Sequence, residues 1–191
     1  MNQKMRFIIY GLVGVFLLIT YFLKESNSSN NLPISGTVPD FEFTDSNGQI
    51  ITREDMKGKV WVADFIFTTC TMACPIMTGN MNIIHKTFRD NNNVRIISIS
   101  VYPEYDTPAI LKEYASRYNT DRWHFLTGPE EAVKKIIKNG FKIGDYEDII
   151  FHSEKFALVD ISGNIRGYYS GMKTEDMSQL QKDIKILLRE S

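Results

Sequence analysis

The chain has 191 residues, 43% of them hydrophobic and 24% charged, with 22 Lys and Arg against 23 Asp and Glu. This is the composition of one ordinary globular domain with extra sequence at an end. A formal net charge of -1, with Lys and Arg spread along the chain, leaves no basic footprint for counterion-release binding, so nucleic acid is excluded as an expected partner.

The first predicted element is FIIYGLVGVFLLITYFL, uncharged from Phe7 to Leu23 and preceded by Lys4 and Arg6. As a helix it would extend about 26 Å. That approaches the ~30 Å hydrocarbon core once flanking side chains snorkel. The segment is apolar on both faces and terminal, which sets it apart from a buried core helix. No small-x-small cleavage site follows Leu23, only Lys24, Glu25 and a Ser/Asn run. The only cysteines, Cys70 and Cys74, are too distant for lipid attachment just after the apolar run. The expectation is an uncleaved single-pass anchor over residues 1–25. Two cations before the span against one just after it orient the short tail to the cytosol and the remainder outside. The absence of an Arg-rich presequence favours a bacterial cell membrane over a mitochondrion.

Residues 26–32 read as a flexible polar linker, and a single domain is expected over 33–191. Phe41–Thr44 and Gln49–Ile51 form a hairpin around Asn47-Gly48. Val60–Phe67 is an almost continuous apolar run suited to a buried strand, and it leads directly into Thr68-Thr69-Cys70. From Ala73 to Arg89, Ile76, Met77, Met81, Ile84 and Phe88 recur at helical spacing, with Pro75 acceptable in the first turn. Val94–Val101 is a second buried strand, Thr107–Tyr118 a helix entered through Asp106-Thr107-Pro108, and Glu130–Lys138 a further helix. Gly140 to Phe151 is expected to be a long irregular stretch. Lys155–Asp160 and Asn164–Tyr169 flank a turn at Ser162-Gly163, and Thr174–Leu188 closes the chain as a helix. Strands alternating with helices predict an α/β fold, a central sheet covered on both faces.

Cys70 and Cys74 are four residues apart, so one helical turn would bring both sulfurs to one face. At a strand-to-helix junction, free N–H groups and the helix dipole favour thiolate over thiol. Only the thiolate binds metal or attacks a disulfide. Outside the cytosol such a pair oxidises unless a reductant or a metal holds it. A purely stabilising disulfide would close a loop of very few residues, where the entropic benefit is smallest. Two soft thiolates suit Cu(I), and one added imidazole makes a Cys2His set for Cu(I) or Cu(II). Structural zinc normally takes a fourth protein ligand, and none stands out. Of the three histidines, His85 lies about three turns beyond Cys74 and reads as a surface or packing residue, while His124 sits in an apolar run and reads as structural. His152 follows the long irregular stretch, and the residues alone rank it only slightly above an ordinary loop histidine. Met72, Met77 and Met81 read as core filler.

Taken together, Gly58-Lys59-Val60, Phe65-Ile66-Phe67-Thr68-Thr69-Cys70-Thr71-Met72-Ala73-Cys74-Pro75, Ser100–Pro108, Trp123–Gly128, and His152 ahead of Phe156–Asp160 resemble the Sco/SenC family. The resemblance covers nearly the whole domain. It implies a thioredoxin-like fold, with a central mixed sheet, and a copper-binding assembly factor for the binuclear copper centre of cytochrome c oxidase. It also implies Cys70, Cys74 and His152 as the copper ligands. The partners implied are the oxidase's copper-bearing subunit and other copper chaperones or thioredoxin-like reductants. Two departures stand out: Tyr102 occupies a position where the family usually has an acid, and Thr71 one that is often proline. Tyr102 removes a carboxylate that would otherwise support the ligand set.

The residues and the resemblance leave two functions. The first is an extracytoplasmic copper metallochaperone, which is not an enzyme. The second is a thiol-disulfide oxidoreductase that keeps the oxidase copper-site cysteines reduced, with Cys70 attacking and Cys74 resolving. A peroxide-reducing role ranks last; Thr71-Met72-Ala73-Cys74 matches its Thr-x-x-Cys pattern only literally.

Overall fold

The computed structural model describes residues 32–118, 120–144 and 154–190, together with Tyr10 and Val13. The chain divides into two units, Met1–Asn31 and Leu32–Ser191. Apart from Tyr10 and Val13, the expected span lies outside the described residues, and so does His152. Among the described residues no helix is long and apolar enough to cross a membrane.

The second unit is built on an eight-stranded mixed sheet. Its strands are β1 (Gly36–Thr37), β2 (Glu42–Asp45), β3 (Ile50–Thr52), β4 (Val60–Ile66), β5 (Val94–Ser100), β6 (Trp123–Thr127), β7 (Lys155–Val159) and β8 (Asn164–Ser170). They lie in the order β1-β8-β7-β4-β5-β6-β2-β3. β4 pairs with β5, and β5 with β6, in parallel; the remaining pairs are antiparallel. Every residue of β4 is buried, as expected for a strand covered on both faces.

The helices are α1 (Ala73–Phe88), α2 (Pro108–Ala115), α3 (Glu130–Lys135) and α4 (Thr174–Glu190). Val60, Val62 and Ile66 belong to one core with Met77 and Met81 of α1, Leu111 of α2 and Leu180 of α4. The alternate residues Trp61, Ala63 and Phe65 belong to a second core with Val133, Ile137 and Phe141. This period of two is what places helices on both faces.

Two turns use one device. Asp45 Oδ1 accepts N–H groups from Asn47 and Gln49 at 2.8 and 2.9 Å, and Gly48 takes φ +81. Asp160 Oδ1 accepts those of Ser162 and Asn164, both at 2.9 Å, and Gly163 takes φ +85. A carboxylate answers the turn amides, and only glycine enters the left-handed region without strain. Of the stretch expected to be irregular, Gly140 and Phe141 are helical instead, residues 142–144 have no regular structure, and residues 145–151 lie outside the described residues. α3 runs on into a π-helix, Ile136–Phe141, whose last side chain packs edge-on against Trp61 and Phe65. The aromatic contacts hold residues that helical periodicity alone would release.

Arg166, 7% exposed, fastens the domain's beginning to its end. Its Nε and Nη2 donate to the Leu32 carbonyl at 3.0 and 2.7 Å, and its Nη1 reaches Asp160 Oδ2 at 3.0 Å and Glu190 Oε2 at 3.5 Å. Removing one partner of such a buried set strands the others. Arg166→Met should therefore lower the unfolding free energy by about 3 kcal/mol, measured by urea denaturation; a loss below about 1 kcal/mol would reject this role for Arg166.

Candidate metal and redox site

β4 delivers the chain to the end of the sheet where the cysteines sit. After Ile66 the backbone turns, with Cys70 N–H donating to the Phe67 carbonyl at 3.1 Å. Asp106, fully buried, holds this turn: its carboxylate accepts the Thr68 N–H at 3.1 Å, the Thr68 hydroxyl and the Ser100 hydroxyl, the last at 2.6 Å. α1 then starts at Ala73 with Met72 as its cap residue, and Met72 makes no side-chain cap hydrogen bond. The missing acceptor is supplied by Cys70 Sγ, which takes the Cys74 N–H at 3.4 Å. The pair is thus not two equivalent sulfurs on a helix face. Cys70 lies in the turn before the helix, half-buried, while Cys74 is inside the first turn and in the core.

The two thiols, both free in the structure, differ in acidity. Burial pushes Cys70 upward, but the N–H groups of Cys74, Met72 and Ala73 and the Cys74 thiol outweigh it, and its pKa falls below the ordinary 9.0. Burial pushes Cys74 up to about 12, reinforced by Cys70 and by the charge of Asp64 and opposed by an N–H of Phe67. The expectation that the helix terminus activates the pair therefore holds for Cys70 alone. It also removes the basis for peroxide attack by Cys74, which needs a low-pKa, accessible thiol.

Asp64 is the polar residue in the otherwise apolar β4. Burial pushes its carboxyl up to about 7, against the lowering effect of the Ser98 hydroxyl. Ser98 Oγ donates to Asp64 Oδ1 at 2.5 Å and accepts Trp123 Nε1–H at 2.9 Å, while Oδ2 has no hydrogen-bond partner among the described residues. A carboxyl in such a site prefers its neutral form.

Of the other expected residues, His85 is a packing residue: it is buried, with Nε2 2.6 Å from the Asp121 carbonyl and its ring against Trp123. His124 lies on β6 with Nδ1 3.5 Å from Asp45 Oδ2, as a structural histidine would. Met77 and Met81 are core residues, but Met72 is 80% exposed and is not core filler. Ile76, on the helical stripe, is half-exposed as well. Tyr102 and Tyr105 stack at 5.9 Å on the loop after β5, at this same end of the sheet. Among the described residues no group of three His, Cys, Asp or Glu side chains converges as a metal site. The roles of Asp64 and Asp106 had no advance signal, because Asp64 is held by Ser98, 34 positions away, and Asp106 joins Ser100 to Thr68, 38 positions away.

A model of the SCO1/SenC family matches residues 31–189. The SCO1 protein homolog of Bacillus subtilis is 38% identical over 161 residues, covering 80% of this chain and 83% of that protein. The solved structure of BsSco, described through a disulfide switch and as a member of the Sco family of cytochrome c oxidase assembly proteins, superposes with a TM-score of 0.74 at 34% identity, covering 84% of this chain and 98% of that one. Bradyrhizobium japonicum ScoI, solved with copper bound, gives 0.66 at 28% identity, covering 79% and 99%.

Two outcomes test this geometry. Asp64 has a folded-state pKa of about 7 against 3.8, so the folded protein binds its proton more tightly, and stability falls as pH rises from about 4 to 7. Asp64→Asn should remove that slope, gaining on the wild type by a few kcal/mol, on the order of 1.4 per pKa unit, between pH 4 and pH 8 in urea denaturation. Parallel profiles would reject the buried neutral carboxyl. Separately, limited iodoacetamide treatment of the reduced native protein near pH 7.5 should alkylate Cys70 first by peptide mass spectrometry, with Cys74 modified only after unfolding.

Proposed function

The chain belongs to the SCO1/SenC family, and on that premise we propose that it is an extracytoplasmic copper metallochaperone assisting assembly of the binuclear copper site of cytochrome c oxidase. The observation that carries this reading is the thiol pair at the β4–α1 junction, with one sulfur already biased to thiolate and one held in reserve. Two adjacent soft sulfurs fit Cu(I), and an imidazole would extend the set to Cu(II). His152 is the proposed third ligand. In sequence it lies three residues before Lys155. Lys155 begins β7, which runs antiparallel to β4 and so starts from the sheet end at which β4 delivers Cys70. The relatives support the cargo: ScoI of Bradyrhizobium japonicum is a structure with copper bound. The expected anchor at residues 7–23 would hold the domain on the outer face of the cell membrane, beside the copper-bearing subunit of the oxidase.

Copper capture has a proton inventory. Cys70, the more acidic thiol, gives up its proton more readily, and Cys74 must release its own to the solvent when the metal arrives, so affinity rises with pH.

The split acidities also favour a second reading, a thiol-disulfide oxidoreductase that reduces the oxidase copper-site cysteines. Cys70 thiolate attacks one sulfur of the target disulfide and expels the other as a thiolate. Cys74, losing its proton, then displaces the first. The target gains two electrons and Cys70–Cys74 becomes a disulfide, which a thioredoxin-like reductant would reopen. The disulfide switch described for BsSco is in keeping with this chemistry.

One titration separates the readings. Reduced protein should bind one copper per chain, with affinity rising at least about tenfold per pH unit between pH 6 and 8. His152→Ala should weaken binding by about 10- to 100-fold, and Cys70→Ser or Cys74→Ser should abolish tight binding. Binding untouched by His152→Ala would sink the three-ligand model. Weak binding together with exchange on a model disulfide faster than a free thiol would move the function to the reductase.

A further inference from the structure

We propose that Asp106 is the positioning residue of the thiol pair: its buried carboxylate fixes the turn before Cys70 so that the sulfur meets the first amides of α1. This rests on the reading of Cys70 and Cys74 as the working site and on the hydrogen bonds that place Cys70, not on copper as the cargo.

Asp106 is 0% exposed and stands one residue before Thr107, whose hydroxyl caps α2 by accepting the Ile110 N–H at 3.4 Å. A position that only ends a loop has no need of a buried carboxylate. Here the carboxylate joins two loops. From the β4 side it accepts the Thr68 backbone N–H and hydroxyl. From the β5 side it accepts the Ser100 hydroxyl, and Ser100 Oγ in turn accepts the Tyr102 N–H at 3.0 Å. Asp106 N–H closes its own turn on the Tyr102 carbonyl at 2.9 Å. The strand ends are already in register, Ile66 opposite Ser100, with Val101 N–H on the Ile66 carbonyl at 2.9 Å. Beyond that last rung, it is the Asp106 carboxylate that ties the two strand extensions together by side-chain hydrogen bonds.

The thiol site begins immediately after Thr68. Cys70 N–H bonds to Phe67 and Cys70 Sγ receives the Cys74 N–H, so both bonds depend on where residues 67–69 lie. A sulfur moved by a few tenths of an ångström outward loses the N–H contacts that offset its burial. Asp106 accepts from two hydroxyls and one N–H. An amide in its place keeps the side chain's volume but has one acceptor oxygen instead of two, so a hydroxyl must turn round to accept from the NH2 and the charge-assisted contacts that hold residues 67–69 are weakened. Asp106 touches neither sulfur; its effect passes through Thr68.

The test reads Cys70 directly in the copper-free full-length chain, as the pH dependence of iodoacetamide alkylation followed by peptide mass spectrometry. Asp106→Asn should move the alkylation midpoint of Cys70 up by about one pH unit. Thr68→Val, which removes the hydroxyl and keeps the N–H and the shape, should move it in the same direction by less, and Ser100→Ala likewise. These two milder variants carry the test if Asp106→Asn does not fold. Arg166→Met, which weakens the domain far from the thiols, is the control and should leave the midpoint in place. A midpoint unmoved in folded Asp106→Asn, or in both Thr68→Val and Ser100→Ala when the first is unfolded, overturns the proposal, as does an equal shift in Arg166→Met. A failure of the wild type to bind copper would defeat the metallochaperone function and leave this comparison standing.

Discussion

A helix must find acceptors for its first amides, and α1 finds one in a sulfur. Its cap residue, Met72, makes no side-chain cap bond, so the Cys74 N–H turns to Cys70 Sγ. The exchange works in both directions. The amides gain a partner and the sulfur gains the groups that favour its charge. Everything around the site serves this contact: β4 brings the chain to the helix origin, the Phe67–Cys70 turn aims the sulfur back, and Asp106 keeps that turn from drifting.

Four residues separate two thiols of opposite character because burial changes steeply over one helical turn. Cys70 rests on the edge of the core, where backbone dipoles can outweigh desolvation. Cys74 is 5% exposed, inside the layer formed by Met77, Met81 and Ile66, where desolvation prevails. Asp64, on the same face of β4, adds a second reluctant acid to that interior. Negative charge on either disfavours it on the other, so the interior holds protons there until a cation or an oxidation replaces them.

Much of the fold was legible in local pattern. The run at residues 60–66, the Asn47-Gly48 turn and the Ser162-Gly163 turn all carry their cause within a few residues of themselves. The helix after the cysteines was legible too, though its apolar stripe overstated the core: Ile76 stands off the buried line of Cys74, Met77, Met81, Ile84 and Phe88, and Met72, before the helix, is exposed. The π-helix was not legible, since Trp61 and Phe65, which hold Phe141, come from a strand more than 70 positions earlier. Nor were Asp64 and Asp106, whose meaning lies in partners on neighbouring strands and loops. The candidate thiols were visible from spacing and place. Their inequality was not, because spacing contains no depth. His152 owed its prominence to the family resemblance rather than to anything around it in the chain.

Depth also bears on how one pair of thiols could serve either metal capture or exchange on the proposed readings. Burial pushes the Cys74 thiol up to about 12, so the thiolate is its minor form at neutral pH. When the half-buried Cys70 meets a stray disulfide, the mixed disulfide that forms must be resolved by Cys74, whose burial still disfavours the thiolate and so slows closure to the internal disulfide. A soft metal ion is not bound by this limit, because coordination itself displaces the proton and repays the desolvation of the sulfur. On the proposed reading, the buried thiol is therefore selective in kinetics rather than in affinity. It delays the oxidation that would empty the site and yields to the ion that would fill it, and both follow from setting Cys74 one turn deeper than Cys70.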